Sequence, residues 1–161
     1  MRAYICFMDH LNRAVKLILA ALLTAMSLVI IIQVIYRGLK MSLPWSEEFS
    51  RYVMIYIVFL GTGYAVRYDL LMSVKILWEH VPEKAVKGLS ILVNLLMAAF
   101  FLLLIVQGIK ILGTVGNQTS PAMLLPMSVP YGAMPVGGAL MFLNSLAVIA
   151  EDIVGKEGLS L

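Results

Sequence analysis

The sequence predicts an all-α integral membrane protein with four transmembrane helices and a short interfacial amphipathic helix between the second and the third. Its 161 residues are 61% hydrophobic and only 13% charged, whereas a soluble domain carries roughly 25% charged residues. A chain with so few charges cannot cover its surface with polar groups, so lipid must replace water around much of it. Long uncharged runs at 17–36, 89–109 and 111–150 supply the spanning segments. We expect one four-helix membrane domain over residues 1–161.

The first two helices are expected at about 17–37 and 46–67. The uncharged run 17–36 matches a hydrocarbon core of roughly 30 Å, and it is longer than the roughly 7–15 apolar residues of a cleaved signal peptide. The uncharged part of the second helix is shorter, so its start matters. Ser46 is expected to cap its N-terminus, with two glutamates in the first turn where the helix dipole favours negative charge.

The last two helices are expected at about 88–110 and 131–150. The connection before the third helix carries apolar residues at helical spacing, which predicts the interfacial helix. The uncharged stretch 111–150 cannot be a single helix because four prolines interrupt it. We therefore start the last helix near Tyr131, with Pro135 in its first turn or two, where a proline is least disruptive.

Orientation is predicted from the lysines and arginines outside the helices. The N-terminus, the middle connection and the C-terminus hold eight of them, and the opposite side holds four. This bias predicts that both termini are cytoplasmic.

The composition also bounds the chemistry. The cores of the first, third and fourth helices contain no Asp, Glu, Lys, Arg or His, and such groups usually mark a transport path or a proton relay. We therefore expect no catalytic residue, no bound metal, no cofactor and no autonomous transport. A net charge of +3 without a dense basic tract indicates that nucleic acid is not a partner. The expected partner is instead the lipid bilayer.

Helix packing is expected to depend on small and amide side chains. Gly61 and Ala65 form a small-xxx-small pair, which lets helix backbones approach closely in lipid. Intramembrane amide and hydroxyl residues such as Asn144 and Ser145 are expected to form hydrogen bonds between helices.

The most distinctive segment is 43–52, which reads Leu-Pro-Trp-Ser-Glu-Glu-Phe-Ser-Arg-Tyr. Trp45 suits a membrane interface. Arg51 follows Glu47 by four residues and Glu48 by three, so it can pair with either carboxylate on one helix face. Two interpretations stay open. The cluster is either a helix cap with surface ion pairs or a partly buried ionic latch against another helix or subunit.

Two segments carry a resemblance to a known family. The segment 43–52, followed by Phe59-Leu60-Gly61, resembles the signature of the small membrane subunit of tripartite ATP-independent periplasmic (TRAP) transporters, the DctQ family. The later segment 120–127, followed by Tyr131 and by Met134-Pro135-Val136-Gly137, resembles the family's segment leading into its last helix. The site candidates in this second resemblance are Ser120, Pro121, Pro126 and Pro135.

The resemblance covers roughly residues 14–150, with one departure. After the second helix the family often shows His-Ile-x-Val-Asp, whereas residues 71–75 here read Leu-Met-Ser-Val-Lys. The role of the family's histidine and aspartate is therefore left open at Leu71 and Lys75.

The resemblance implies a division of labour in the bacterial inner membrane. A large sodium-coupled membrane subunit carries the substrate path, a periplasmic substrate-binding protein delivers an organic acid anion, and the small subunit packs on the large one and enlarges its scaffold. Two alternatives belong to other classes of protein. They are a small self-contained homodimeric exporter, which requires an intramembrane carboxylate, and an assembly factor for another membrane complex.

Overall fold

The computed structural model of the chain describes residues 2–68 and 83–154, and they form four α-helices. These are α1 (Arg2–Gly38), α2 (Pro44–Arg67), α3 (Glu83–Val115) and α4 (Ser128–Val154). Each contains a stretch long and apolar enough to cross a membrane, at Tyr4–Gly38, Pro44–Arg67, Leu95–Val115 and Ser128–Ala150. The all-α class and the four spanning helices are thus confirmed. The predicted interfacial helix, together with Leu71 and Lys75, falls on residues 69–82, outside the described part of the chain.

The first helix is longer than its uncharged run. It begins at Arg2 and has 37 residues, which corresponds to about 55 Å at 1.5 Å per residue. The added segment carries charged residues, but Ile5, Met8 and Val15 recur on one side and are buried against the bundle. Because this apolar stripe packs against the bundle, the segment continues the helix outside the apolar span.

The second helix begins at Pro44, and the expectation that Ser46 caps it is wrong. Leu43 is the N-cap residue and contributes no side-chain cap. The Ser46 hydroxyl instead donates back to the Leu43 carbonyl oxygen at 2.7 Å. Proline at the first helical position explains the earlier start, because its φ is already helical and it has no N–H to satisfy. Glu47 still lies in the first turn.

The last helix is the hub of the bundle. α4 packs against each of the other three helices, while α1 rests mainly on α2 and α3 mainly on α4. Of the most apolar stretch of α4, 44% is buried within the chain, compared with 0% for α1. The spanning part of α1 therefore faces outward along most of its length.

Glycines set the closest approaches between the helices. A Cβ placed on Gly63 would lie 2.8 Å from Leu140 Cδ2, and one on Gly137 would lie 3.1 Å from the backbone carbonyl carbon of Phe59. Both contacts join α2 to α4. In contrast, a Cβ on Gly61 would meet no described atom within 4 Å. The glycine that α2 uses for packing within this chain is therefore Gly63.

The third and fourth helices meet at a proline. α4 begins three residues earlier than expected, which leaves Pro135 inside the helix. Its ring faces Gly108 of α3, where a Cβ would lie 2.9 Å from Pro135 Cδ. The absence of a side chain on Gly108 makes room for the ring between the two helices.

We expect Gly63→Leu to destabilise the bundle by about 1–3 kcal/mol, because overpacking forces neighbouring side chains or backbones to move. The measurement is the thermal unfolding midpoint of the purified chain in detergent. Gly61→Leu is the matched control, two residues away on the same helix, and it should melt close to the parent. A Gly63→Leu chain as stable as the parent would contradict the packing described.

Candidate functional site

The Glu48 carboxylate joins the start of α2 to the loop between α3 and α4. It accepts hydrogen bonds from the Ser120 hydroxyl at 2.7 Å and from the backbone N–H groups of Met123 at 3.0 Å and Ala122 at 3.1 Å. Ser120 itself is 1% exposed. Hydrogen bonds to an ionised acceptor are shorter and stronger than those between neutral groups, so this carboxylate fixes the loop onto α2.

The loop is a tight hairpin over residues 118–127. The N–H of Met127 donates to the Gln118 carbonyl oxygen at 2.8 Å, and the N–H of Ser120 donates to the Leu125 carbonyl oxygen at 2.8 Å. Between these bonds the chain makes a single turn whose first N–H groups have no preceding carbonyl to bind. Glu48 satisfies them from another helix, as an N-cap side chain satisfies the start of a helix.

The turn closes through a residue in an unusual conformation. Leu124 donates its N–H to the Ser120 carbonyl oxygen at 3.2 Å, and its φ is +53°. The left-handed region costs a residue with a Cβ about 1–2 kcal/mol, which is why glycine commonly occupies the position that ends a helical turn. Lys40, in the connection between α1 and α2, also has a positive φ, of +59°.

The predicted latch residues Glu47, Glu48 and Arg51 line one cleft but form no ion pair with one another in the described chain. Arg51 is exposed, and among the described residues it forms no ion pair with either glutamate. Glu47 is also exposed and accepts a hydrogen bond from Gln33 Nε2 of α1 at 3.3 Å. Within this chain the latch is therefore Glu48 with the hairpin, without Arg51. The part of these residues in a subunit interface stays a prediction.

An open cleft of about 600 Å³ lies between the start of α2 and the hairpin. Both halves of the family resemblance meet there, because Pro121 and Ala122 come from the second segment. The cleft contains three charged side chains beside an exposed tryptophan ring. Its lining residues are Pro44, Trp45, Glu47, Glu48, Arg51, Pro121 and Ala122.

The remaining predicted site residues lie apart from this cleft. Pro126 is exposed and pairs with Thr119 across the hairpin in an isolated bridge. Gly61 follows Glu48 by thirteen residues on α2, which is about 20 Å along the helix axis, and Ala65 lies one turn further. Pro135 packs on α3 inside the bundle.

A second polar cluster, at the opposite end of α2, was not predicted as a set. Asn12 and Asn144 exchange amide hydrogen bonds at 2.7 and 3.0 Å, and Asn144 also donates to the Gly63 carbonyl oxygen at 2.8 Å. Both asparagines are fully buried. The expected interhelical bond of Asn144 is thus confirmed, and it joins α1, α2 and α4. Buried amides paired in this way leave few polar atoms unsatisfied.

An ion pair accompanies the buried asparagines. Arg67, at the end of α2, contacts the Asp9 carboxylate of α1 at 2.8 Å. The Tyr4 hydroxyl donates to the Leu143 carbonyl oxygen of α4 at 2.9 Å. The sequence signal for this cluster was the apolar spacing that surrounds Asn12, which places it on the packed side of α1.

The fold and the two polar clusters define a multi-pass helical membrane protein. The sequence model of the family described as "Tripartite ATP-independent periplasmic transporters, DctQ component" matches residues 26–155. The chain therefore belongs to the DctQ family, and it is a multi-pass protein of the inner membrane. The members of this family are components of transporters and not enzymes.

Two relatives agree with this assignment. The chain is 30% identical over 151 residues to the isethionate TRAP transporter permease protein DctMQ of Oleidesulfovibrio alaskensis, covering 88% of this chain and 23% of that protein. It is 27% identical over 133 residues to a TRAP transporter small permease protein of Haemophilus influenzae, covering 81% of this chain and 82% of that protein. The chain thus spans less than a quarter of the first relative and most of the second.

We expect Glu48→Ala to release the hairpin, because Ser120, Ala122 and Met123 all lose their acceptor at once. Hydrogen exchange of the 118–127 segment in detergent, read by mass spectrometry, should become faster. Glu47→Ala is the control, since Glu47 makes no contact with the hairpin, and it should leave this exchange unchanged. Equal exchange in the Glu48→Ala chain and the parent would show that the carboxylate does not hold the loop.

Proposed function

We propose that this chain is the small permease subunit of a TRAP-type secondary transporter for organic acid anions. In this role it packs on a large sodium-coupled membrane subunit and enlarges its scaffold, while a periplasmic substrate-binding protein delivers the anion. Membership of the DctQ family carries the proposal. The isethionate in the name of one relative is an organic anion and fits the proposed substrate class.

The relative DctMQ supports a large membrane partner. This chain matches only 23% of that single polypeptide, so a much larger remainder accompanies the small-subunit region there. The outward-facing surfaces here offer room for such a partner. They include the spanning part of α1 and the open face of α2 at Gly61.

The static role fits the distribution of charge. In the spanning cores of α1, α3 and α4 the sequence places no ionisable side chain, whereas a coupled carrier needs polar groups along its path. We propose accordingly that the chain neither catalyses a reaction nor transports substrate by itself.

Recovery of the partner tests the assembly. A tagged chain co-expressed with the proposed large subunit should recover that subunit in detergent, and liposomes holding both should take up the organic anion with a sodium gradient. Liposomes with the small chain alone should not. Uptake by this chain alone, or recovery of nothing but a second copy of it, would favour the exporter instead.

Two substitutions locate the interface in the same experiment. Gly61→Leu should lower recovery of the large subunit more than Leu60→Ala does, because it fills a face along which a second backbone can approach. Arg51→Ala should weaken the free energy of assembly by about 3–5 kcal/mol if the partner buries the guanidinium with a carboxylate. The loss should be at most about 1 kcal/mol if Arg51 stays on the surface. Unchanged recovery with both variants would remove these residues from the interface.

We further propose that both termini are cytoplasmic, which places the hairpin and Trp45 on the periplasmic side. The eight-to-four distribution of lysine and arginine supports this orientation. Reporter domains fused at Lys40 and at Lys84 should report opposite sides of the membrane, with Lys40 periplasmic. The same side for both fusions would contradict the four-span topology, and a reversed result would contradict the orientation.

A further inference from the structure

Leu124 combines exposure with backbone strain. Its side chain is 74% exposed, the largest value among the exposed large hydrophobic residues of the described chain, and its φ of +53° lies in the left-handed region. Glycine would adopt this conformation without a steric penalty and would expose no apolar side chain. The positive φ therefore acts against the stability of the isolated chain, and the exposed leucine side chain adds almost nothing to it.

Lipid does not account for this exposure. The other strongly exposed apolar residues lie mostly in the spanning helices, where hydrocarbon covers them. Leu124 lies in the connection between the spans Leu95–Val115 and Ser128–Ala150, on the same hairpin whose turn is bound by the charged Glu48. Leu124 therefore lies outside the apolar spans, and burial against a protein surface would remove its side chain from water.

The hairpin holds Leu124 in a fixed position. The turn that precedes it is bound by the Glu48 carboxylate, and the flanking residues are joined by the Ser120–Leu125 and Gln118–Met127 backbone bonds. Because these bonds fix the backbone at Leu124, little backbone freedom is lost when the residue binds, which favours its use as an anchor in an interface. Lipid tails would require no such fixed direction.

We propose that Leu124 is an anchor residue that inserts into an apolar pocket of the large membrane subunit. The inference rests on the proposed function and adds to it the place where the partner binds. The neighbouring cleft fits the same partner. Arg51 lines the cleft beside Glu47 and Glu48, is exposed and has no ion pair among the described residues, so a polar partner segment would meet one guanidinium and two carboxylates there while covering Pro121 and Ala122.

The partner is a protein rather than lipid for a second reason. In the relative DctMQ the region that matches this chain belongs to one polypeptide more than four times as long. A large protein remainder is therefore held close to the small-subunit region in that molecule. The inference places the pocket for Leu124 on the corresponding large subunit.

Leu124→Gly tests the anchor because it separates folding from binding. Glycine relieves the positive φ, so the variant should melt at or above the temperature of the parent. Recovery of the large subunit should nevertheless fall roughly tenfold or more, as for other anchor residues. Leu124→Ala keeps a Cβ at the strained position and should lose recovery to a similar extent, which would assign the loss to the leucine side chain.

Lys40→Gly is the matched control. It relieves the same kind of strain at a φ of +59° but removes no apolar side chain, and its recovery of the large subunit should equal that of the parent. Equal recovery with Leu124→Gly and the parent overturns the inference. A parent chain that recovers no large subunit overturns the proposed function as well, so the two failures are distinguishable.

Crosslinking identifies the occupant directly. The variant Leu124→p-benzoylphenylalanine, irradiated in membranes with the complete transporter, should form an adduct with the large subunit. Placement of the same crosslinker at Lys40 should not reproduce that adduct. An adduct only with the periplasmic binding protein, only with a second copy of this chain or only with lipid would overturn the assignment.

Discussion

Helices in a bilayer gain little from the hydrophobic effect when they associate, because the lipid tails are as apolar as their side chains. Close packing and buried hydrogen bonds must hold them together instead. α4 uses both means. Its Gly137 approaches the backbone of Phe59, and its Asn144 binds Asn12 and the carbonyl oxygen of Gly63. Since an unsatisfied amide in such a place would be costly, the reciprocal pairing makes the three-helix contact specific.

The Glu48 carboxylate extends this arrangement to the other end of the bundle. All three of its donors belong to the hairpin, so α2 positions the hairpin together with the two helices that it connects. The Tyr56 hydroxyl adds a bond to the Val129 carbonyl oxygen at 2.8 Å, at the start of α4. The N-terminal half of α2, the first turn of α4 and the hairpin that precedes α4 should therefore move as one body, which suits a surface that presents a fixed residue to a partner.

The spans could be predicted from the sequence because length and lack of charge alone decide whether a helix can cross a bilayer. The start of α1 could not be predicted in this way. Charged residues precede the uncharged run, although the apolar stripe on one side of the helix extends further toward the N-terminus. Ser46 is of a residue type favoured at N-caps, but α2 begins earlier because the φ of Pro44 is already helical. The contact between Glu48 and the hairpin could not be predicted for another reason. Two of the three donors to Glu48 are backbone N–H groups, which no residue type identifies in a sequence. The third donor, Ser120, lies 72 residues away.

Gly61 and Gly63 show how one helix serves two surfaces. Two residues turn an α-helix by about 200°, so the two glycines face nearly opposite sides of α2. Gly63 is closed by Leu140, whereas the place of a side chain on Gly61 is open. A glycine inside a helix costs about 1 kcal/mol relative to alanine, and at Gly63 the packing of α4 explains it. No contact within the described chain explains Gly61. A second protein that approaches the backbone along that face would explain Gly61. The same partner would reach the N-terminal end of α2 through Leu124 and Arg51.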